Sequence, residues 1–389
     1  MDISRFGKNR TGELVSISGM SGNTYAFVPA PLPPKWEWPV RLWPLLVEAR
    51  TCLARLDGIG RHLPDPQLLL RPLQDREAQI SSRLEGTITE PLQQMLFRLD
   101  PDAHGADSET RNAQREVYNH GEALRYWLGR RDELPICRRL VTELHGILMD
   151  GVRGANRDPG QFRRLPVQIH PRRFVPPPAE RLDELWTSFE DYCNLDDKPF
   201  DPLVEAFVAH YQFETIHPFS DGNGRVGRVL LAIMIMEWCG LSDQWLYMSP
   251  YFEARRDEYI DRLFRVSTEG NWEGWIEFCL KGVVVQAKDT EKRCDMLVGL
   301  LKDFKDRIHG LKRTNDRLNR LVEELFVSPV IFSELVVRDY GVTPPTARAD
   351  LQKLCNVGIL RAFRAPGLRG ITYYSPEIFD ITFAEEFAE

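Results

Sequence analysis

One stretch of this sequence separates two helical patterns: His217-Pro218-Phe219-Ser220-Asp221-Gly222-Asn223-Gly224-Arg225-Val226-Gly227-Arg228. Apolar residues recur at helical spacing on both sides of it. The upstream set is Leu203, Val204, Phe207, Val208 and Tyr211, and the downstream set is Val226, Val229, Leu230, Ile233 and Met234. The sequence therefore predicts a helix, a tight polar loop and a second helix.

The predicted loop has the composition of an anion-binding site. Gly222 and Gly224 permit backbone conformations with positive φ, so successive N–H groups can point into one concavity. The helix that follows offers its free N–H groups and the positive end of its dipole to the same anion. Arg225 and Arg228 lie three residues apart, on one side of the first turns, and guanidinium groups bind phosphates bidentately. These features favour a polyphosphate ligand.

Two further side chains extend this chemistry. Asp221 would be unfavourable beside phosphates unless a cation lay between them, and Mg²⁺ binds in this way through one carboxylate and substrate phosphates. His217 can accept a proton near neutral pH. Taken singly, such a histidine or a Gly-Asn-Gly turn is usually structural, and the Gly-x4-Gly-Lys-Ser/Thr pattern of a Walker P-loop does not occur. The combination predicts a site for phosphates, a metal and a base.

Residues 217–228 match the pattern His-x-Phe-x-Asp/Glu-Gly-Asn-Gly-Arg-x-x-Arg at every specified position, so the chain resembles the Fic family. The resemblance implies a mainly α fold, namely a Fic-type helical bundle with a small β-hairpin, and transfer of AMP from ATP to a Ser, Thr or Tyr hydroxyl of a target protein. It implies that His217 accepts the hydroxyl proton, that Asp221 holds Mg²⁺ and that Phe219 anchors the loop. The implied ATP contacts in this stretch are Gly222, Asn223, Gly224, Arg225, Val226, Gly227 and Arg228.

A second, shorter motif lies upstream, where Gly86 is a typical helix stop. On its own, Glu85 would be read as a solvated surface carboxylate. The resemblance implies that Ser81, Glu85 and Gly86 form the Ser/Thr-x-x-x-Glu-Gly/Asn inhibitory motif of Fic proteins, with Glu85 paired to Arg228. A paired arginine cannot also bind the γ-phosphate of ATP bidentately. The expected enzyme is therefore autoinhibited.

Two other segments match nucleotide-binding parts of Fic proteins by position. The segment 167–174, called the flap below, begins with an alternating pattern typical of a short strand, although the family often has Gly where His170 stands. A later segment matches the lining of the adenine and ribose pocket, although Arg255 replaces the usual Asn. An ordinary surface hairpin and a structural tyrosine are the alternatives. The implied ATP contacts in the two segments are Val167, Gln168, Ile169, His170, Tyr247, Met248 and Arg255.

Composition excludes several classes of protein. The 389 residues are 43% hydrophobic and 28% charged, which is ordinary for a globular protein that buries a large core. A net charge of −7 argues against extensive nucleic-acid binding. The seven cysteines are scattered without a Cys-x2-Cys pair, so neither a zinc site nor a disulfide framework is expected. The sequence shows no signal peptide and no membrane-spanning run, and the expected location is the reducing cytoplasm.

The predicted organisation has four parts: an N-terminal strap and inhibitory-helix region (1–110), a Fic catalytic core (111–288), a mixed-charge linker helix (289–314) and a winged-helix-like domain (315–389). Residues 1–27 show no strong periodicity, and Trp36 and Trp38 could pin the proline-rich strap that follows to a surface. The last part has 8 basic and 11 acidic residues. DNA binding by this part stays open, but a protein-interaction or positioning role is favoured.

Three other activities were weighed against AMP transfer. The same pocket could remove AMP from a modified protein, with Glu85 orienting a water molecule. The chain could be a transcriptional regulator in which the winged helix acts and the Fic core senses nucleotide. Phosphorylation, as in the related Doc-like proteins, is disfavoured because those proteins lack the final Gly-Arg-x-x-Arg pattern. ATP and a target protein are the expected partners, while self-modification and a homodimer stay open.

Overall fold

The structure is a computed structural model that describes residues 1–19, 22–61, 65–99, 101, 108–131, 133–152, 158–311, 315–365 and 370–385. These residues form the following α-helices: α1 (Trp43–Arg61), α2 (Gln67–Leu84), α3 (Pro91–Leu99), α4 (Ser108–Leu128), α5 (Arg138–Leu148), α6 (Leu182–Cys193), α7 (Pro202–Ile216), α8 (Asn223–Cys239), α9 (Ser249–Ala254), α10 (Arg256–Glu269), α11 (Trp272–His309), α12 (Asp316–Val327), α13 (Ser333–Tyr340), α14 (Pro344–Asn356) and α15 (Pro376–Phe383). The strands are β1 (Gly12–Gly19), β2 (Gly22–Pro29), β3 (Val330–Phe332), β4 (Arg361–Phe363) and β5 (Thr372–Tyr374). The predicted mainly α class is confirmed.

The helices α7 and α8 form the centre of the core. The side chain of Asp201 accepts a hydrogen bond from the N–H of Leu203, and proline occupies the first turn, so α7 begins with a regular N-cap. Thirteen of the fifteen residues of α7 are buried, which means that other elements surround this helix on all sides. A Cβ built on Gly227 of α8 would overlap the carboxylate of Glu214 on α7. Glycine at this position therefore permits the close approach of the two helices.

An N-terminal hairpin was not predicted. Strands β1 and β2 pair antiparallel in a register that places Gly12 opposite Pro29. No alternation marks β2 because its consecutive residues Ala26, Phe27 and Val28 are all buried. The ring of Phe27 lies 5.6 Å from that of Phe174, at the end of the flap. The hairpin thus packs against the C-terminal end of the flap.

The strap docks as expected, since the Trp36 ring lies 5.4 Å from the ring of Phe200. The predicted linker helix, by contrast, does not exist as a separate element. Helix α11 runs without interruption across the predicted boundary at 288/289. Arg293, which was expected in a mixed-charge linker, is completely buried and donates from Nε to Asp289 Oδ2 at 2.8 Å. This part of α11 therefore lies inside the core, where the charge of Arg293 is paired.

The C-terminal region contains helices α12 to α15 and an antiparallel sheet in the order β3-β5-β4. Its assignment as a winged helix, and any binding of DNA, stay predictions. The region lies against α2. Arg98 donates to both carboxylate oxygens of Asp75 on α2, at 3.0 and 2.8 Å, and also to the carbonyl of Val327 at 3.0 Å. Helix α2 packs against α4 and α9 as well as against α12 and α15 of the C-terminal region.

Among the described residues, no helix combines the length and the apolar character that crossing a bilayer requires.

The packing of α1 gives a matched pair of stability predictions. A Cβ on Gly60 would overlap the indole ring of Trp245, whereas a Cβ on Gly58 would meet nothing within 4 Å. Gly60→Ala should lower the free energy of unfolding by about 1–3 kcal/mol through overpacking. Gly58→Ala should raise it by up to about 1 kcal/mol through helix propensity. Urea unfolding followed by circular dichroism measures both, and equal effects of the two substitutions would contradict the packing described here.

Candidate active site

A cleft opens where α2, α7, α8, α10 and the flap meet. Its lining is divided between polar and apolar side chains. The polar side chains are Glu85, His170, Arg172, Glu214, Thr215, His217, Arg228, Arg256 and Ser267. The apolar and aromatic side chains are Ile169, Phe174, Tyr259, Ile260, Leu263 and Phe264. A charged surface beside an aromatic one suits a ligand with both an anionic part and a flat ring.

His217 ends α7 in the left-handed conformation, with φ 51° and ψ 61°. Its Nδ1 lies 3.2 Å from the carbonyl oxygen of Glu214. Because a carbonyl oxygen only accepts hydrogen bonds, Nδ1 carries the proton and Nε2 is left as the acceptor. Burial lowers the pKa of His217 to about 4. The imidazole is therefore neutral near pH 7, with one nitrogen able to take up a proton.

The loop between α7 and α8 is fixed by Asn223 and Phe219. The Asn223 side chain accepts from the Phe219 N–H and donates to the Phe219 carbonyl, both at 2.8 Å. The Phe219 ring is completely buried and stacks on His145 with 3.8 Å between ring centroids. His145 Nδ1 accepts from the N–H of Gly160, so its Nε2 donates to the Asp221 carbonyl at 3.1 Å. Phe219 is thus an anchor, as expected, and His145 is a second one that the sequence analysis missed.

Glu85 and Arg228 form an ion pair inside the cleft. Arg228 Nη2 donates to Glu85 Oε1 at 2.8 Å, and Arg228 also donates to the hydroxyl and the carbonyl of Ser81 at 2.8 and 2.9 Å. Although burial opposes ionisation of Glu85, the adjacent guanidinium holds the pKa of this carboxyl below its usual value. A Cβ built on Gly224 would overlap the Glu85 carboxylate. The carboxylate therefore lies against the glycine backbone at the start of α8.

The two arginines of the loop pattern lie in different surroundings. Arg225 is buried and is not among the described residues that line the cleft. Its Nη1 lies 3.4 Å from a carboxylate oxygen of Glu116, and that oxygen also accepts from Thr87 at 2.6 Å. Thr87 follows Gly86, at which φ is 92°. Arg225 is therefore linked, through Glu116, to the segment that follows Glu85.

The flap forms a narrow hairpin. Ile169 and Phe174 exchange two backbone hydrogen bonds, of 2.7 and 3.1 Å. Ile169 and His170 line the cleft, whereas Val167 and Gln168 are not among the described lining residues. The predicted strand is therefore reduced to a single bridge.

Three predicted nucleotide contacts lie away from the cleft. Tyr247 and Met248 are buried, and the Tyr247 hydroxyl donates to Gln244 at 3.4 Å. The guanidinium of Arg255 lies 4.3 Å above the ring of Tyr251. These residues precede or end α9, which packs against α2 and α11, and this packing turns them away from the cleft. Much of the aromatic and apolar lining comes instead from α10, where Tyr259 and Phe264 were not predicted.

Two charged residues of the site were also missed. Glu214, one helical turn before His217, lines the cleft, and burial raises the pKa of its carboxyl to about 7. Its Oε1 has no hydrogen-bond partner among the described residues. Arg163 is buried beneath the loop and donates to the carbonyl of His217 at 2.8 Å. The i, i+3 spacing of Glu214 and His217 was visible in the sequence, whereas nothing in the local pattern marks Arg163.

Asp221 lies in the loop between α7 and α8 and is not among the described residues that line the cleft; its Oδ1 accepts from the N–H of Gly222 at 2.7 Å. Among the described residues, no three His, Cys, Asp or Glu side chains cluster as a metal site would require. A divalent cation at Asp221 would therefore need most of its ligands from a bound substrate and from water.

Comparisons with known proteins agree with this architecture. A model of the Fic/DOC family matches residues 135–235, and a model of the Fic/DOC family N-terminal region matches residues 43–128. Protein adenylyltransferase Fic from Drosophila willistoni is 30% identical over 186 residues, which are 47% of this chain and 33% of that protein. Protein adenylyltransferase fic-1 from Caenorhabditis elegans is 36% identical over 170 residues, 43% of this chain and 30% of that protein. The alignments thus cover about a third of the length of these relatives.

Solved structures show the same fold. A Fic family protein from Desulfovibrio desulfuricans G20 superimposes with a TM-score of 0.56 at 19% identity, covering 88% of this chain and 98% of that chain. Fic-1 from Caenorhabditis elegans superimposes with a TM-score of 0.52 at 21% identity, covering 68% and 74% of the two chains. The resemblance that residues 217–228 suggested is therefore confirmed by two family models and by the fold. Residues 43–128 and 135–235 of this chain therefore match the N-terminal and central regions of the Fic/DOC family.

Proposed function

We propose that this protein is an autoinhibited protein adenylyltransferase, which transfers AMP from ATP to a Ser, Thr or Tyr hydroxyl of a target protein. The observation that carries the proposal is the ion pair between Glu85 and Arg228, which lies over Gly224 in the cleft that contains His217. The matched relatives, which are named protein adenylyltransferases, support the choice of AMP transfer.

In the proposed reaction, Nε2 of His217 accepts the proton of the target hydroxyl. The hydroxyl oxygen attacks the α-phosphorus of ATP, a new P–O bond forms, the bond to the bridging oxygen of the β-phosphate breaks, and pyrophosphate leaves. A neutral imidazole suits this role because only the unprotonated form can accept a proton. The anchored loop holds His217 in place, so positioning and charge stabilisation do most of the catalytic work.

The phosphates would bind at the start of α8. Gly222 has φ 74° and precedes the helix, so the N–H groups of the first turn are available to an anion. Arg228 would bind the γ-phosphate once Glu85 has left, because a guanidinium binds one planar anion bidentately. Arg225 lies behind this turn and would act on the β-phosphate only after its contact with Glu116 changes.

Mg²⁺ fits the donor set at Asp221, where a single carboxylate lies in the proposed phosphate-binding loop. Asp221 would hold the ion, with its remaining ligands supplied by the substrate and by water. Bound there, the ion would neutralise charge that develops on the phosphates during transfer.

Inhibition follows from the position of the Glu85 carboxylate. It lies against Gly224, where the backbone would otherwise face a phosphate, and it neutralises the arginine that the γ-phosphate needs. Ser81, which accepts from Nε of Arg228 and offers its carbonyl to Nη2, keeps the guanidinium turned toward α2. An incoming ATP must therefore displace a carboxylate before it can bind productively.

The first prediction concerns the release of this inhibition. Glu85→Gly should increase AMP transfer at least about tenfold, the factor that corresponds to about 1.4 kcal/mol, because Arg228 becomes available to the γ-phosphate. Adding His217→Ala to this variant should abolish transfer while ATP binding persists. The measurement is protein labelling in cell lysate with Mg²⁺, using ATP labelled with ³²P at the α- or the γ-phosphate in parallel reactions.

The two labels separate the competing reactions. Label from the α-phosphate alone supports AMP transfer, whereas label from the γ-phosphate would show a kinase. No label in Glu85→Gly would reject the proposed function and favour AMP removal or a regulatory role. Arg228→Ala in the Glu85→Gly background is the matched control and should return activity to the level of the wild type or below.

The second prediction concerns pH and the same ion pair. The pKa of Glu85 in the folded protein lies below its ordinary value of 4.5, so the ion pair stabilises the fold near neutral pH and loses this effect as the pH falls through the lowered pKa. The Glu85 side chain is 40% exposed, and solvent screening limits the contribution to about 1 kcal/mol. Glu85→Gln should therefore reduce the free energy of unfolding at pH 7, and this reduction should become smaller at a pH below 4.5.

Urea unfolding of both proteins at the two pH values tests this linkage. The ion pair between Glu253 on α9 and the exposed Arg83 on α2, 3.8 Å apart, supplies a control. Glu253→Gln should change the free energy of unfolding by less than about 0.5 kcal/mol at either pH. An effect of Glu85→Gln that is the same at both pH values would contradict an ionised Glu85 in the pair.

A further inference from the structure

Arg163 is a buried arginine whose side-chain donors all serve backbone carbonyls. The side chain is 3% exposed, and no carboxylate among the described residues forms an ion pair with it. Its Nε donates to the carbonyl of His217 at 2.8 Å, and its Nη2 lies 3.4 Å from the carbonyl of Ile216. Its backbone N–H donates to the carbonyl of Pro218 at 2.8 Å. Three consecutive carbonyls around His217 therefore accept from one residue.

The backbone of His217 needs this support. A residue with a Cβ is unfavourable in the left-handed conformation, which His217 adopts with φ 51°. Such a conformation persists where the surrounding structure fixes it. Ile216 ends α7, so its carbonyl lies at the helix C-terminus, where a positive charge is favourable. The guanidinium of Arg163 thus stabilises the turn by both hydrogen bonds and charge.

The same guanidinium reaches the flap. Its Nη2 donates to the carbonyl of Pro177 at 2.6 Å, and its Nη1 lies 3.3 Å from the carbonyl of Leu165. Leu165 precedes the flap and Pro177 follows it, so both ends of the hairpin are tied to the atoms that hold His217. The planar guanidinium fixes the relative direction of all these bonds, which a lysine could not do.

We propose that Arg163 is a positioning residue that sets the geometry between the base His217 and the flap. This inference rests on the proposed function, because it assigns Arg163 to the reaction in which His217 accepts a proton. Arg163 acts through its neighbours and does not line the cleft. Its removal is therefore expected to lower kcat more than it changes the KM for ATP.

The charge of Arg163 provides a second readout. Burial lowers the pKa of His217 most strongly, and the positive charge of Arg163 lowers it further. The hydrogen bond to the carbonyl of Glu214 on α7 raises this pKa, as do the negative charges of Glu85 at the end of α2 and Asp221 in the loop. Loss of the positive charge at residue 163 should therefore raise the pKa of His217. A residue with a purely structural role would not move this value.

The experiment compares Arg163→Gln, Arg163→Lys and Arg164→Gln, each in the Glu85→Gly background, with α-³²P-ATP as the labelled substrate. Arg164 is the adjacent residue and is exposed, so Arg164→Gln removes the same charge outside the network. Arg163→Gln should lower kcat at least about tenfold and change the KM for ATP less than about threefold. It should also shift the acidic limb of the pH–rate profile to higher pH, because the pKa of His217 rises. Arg163→Lys should leave that limb in place and give an intermediate kcat, while Arg164→Gln should match the background.

A direct titration separates this inference from the proposed function. Nuclear magnetic resonance of histidine-labelled protein reports the pKa of His217 with or without catalysis, so it applies even if the Glu85→Gly variant labels no protein. An unchanged pKa and an unchanged kcat in Arg163→Gln would overturn the inference. If Arg163→Gln does not fold, Arg163→Lys decides, because a kcat equal to that of the background would overturn it as well.

Discussion

The structure depends on how closely α7 and α8 approach each other at the loop that joins them. Glycine at 227 removes the side chain that would separate the helices, and Phe219 fills the space under the loop. The turn can then be tight only if His217 adopts a left-handed backbone. Because this backbone conformation is unfavourable, hydrogen bonds of Arg163 and Asn223 hold the loop in place. The catalytic geometry is a consequence of helix packing.

The position of α2 follows from the same approach. Helices α7 and α8 bring His217 and Arg228 to one cleft. Glu85, at the end of α2, lines the same cleft, and its carboxylate accepts a hydrogen bond from Arg228. One guanidinium cannot bind two anions bidentately at the same time. Binding of the Glu85 carboxylate and binding of a γ-phosphate are therefore mutually exclusive in the proposed mechanism. Since α2 packs against α4 and α9 and also against α12 of the C-terminal region, this helix is held by two parts of the chain.

The sequence predicts the centre of this protein better than its periphery. The pattern at 217–228 was sufficient for the helix–loop–helix and for the family because it combines helical periodicity with a run of specified residues. The β1–β2 hairpin was missed since the consecutive burial of 26–28 hides any alternation. Tyr247 was assigned to the nucleotide pocket only from its position in the sequence, whereas in the structure its side chain is buried in the core. Arg163 could not be found, because its partners are backbone carbonyls, which no side-chain pattern records.

In the proposed mechanism, the inhibitory carboxylate of Glu85 and the site that it blocks belong to the same chain. A tethered ligand has an effective concentration that is set by the chain and does not fall when the protein is diluted. Inhibition by Glu85 would thus be independent of how much of this protein is present. It would respond only to the concentration of ATP that competes for the same arginine and to events that move α2. At a given ATP concentration, the resting activity in the proposed mechanism would thus be the same for each molecule, however dilute the protein is.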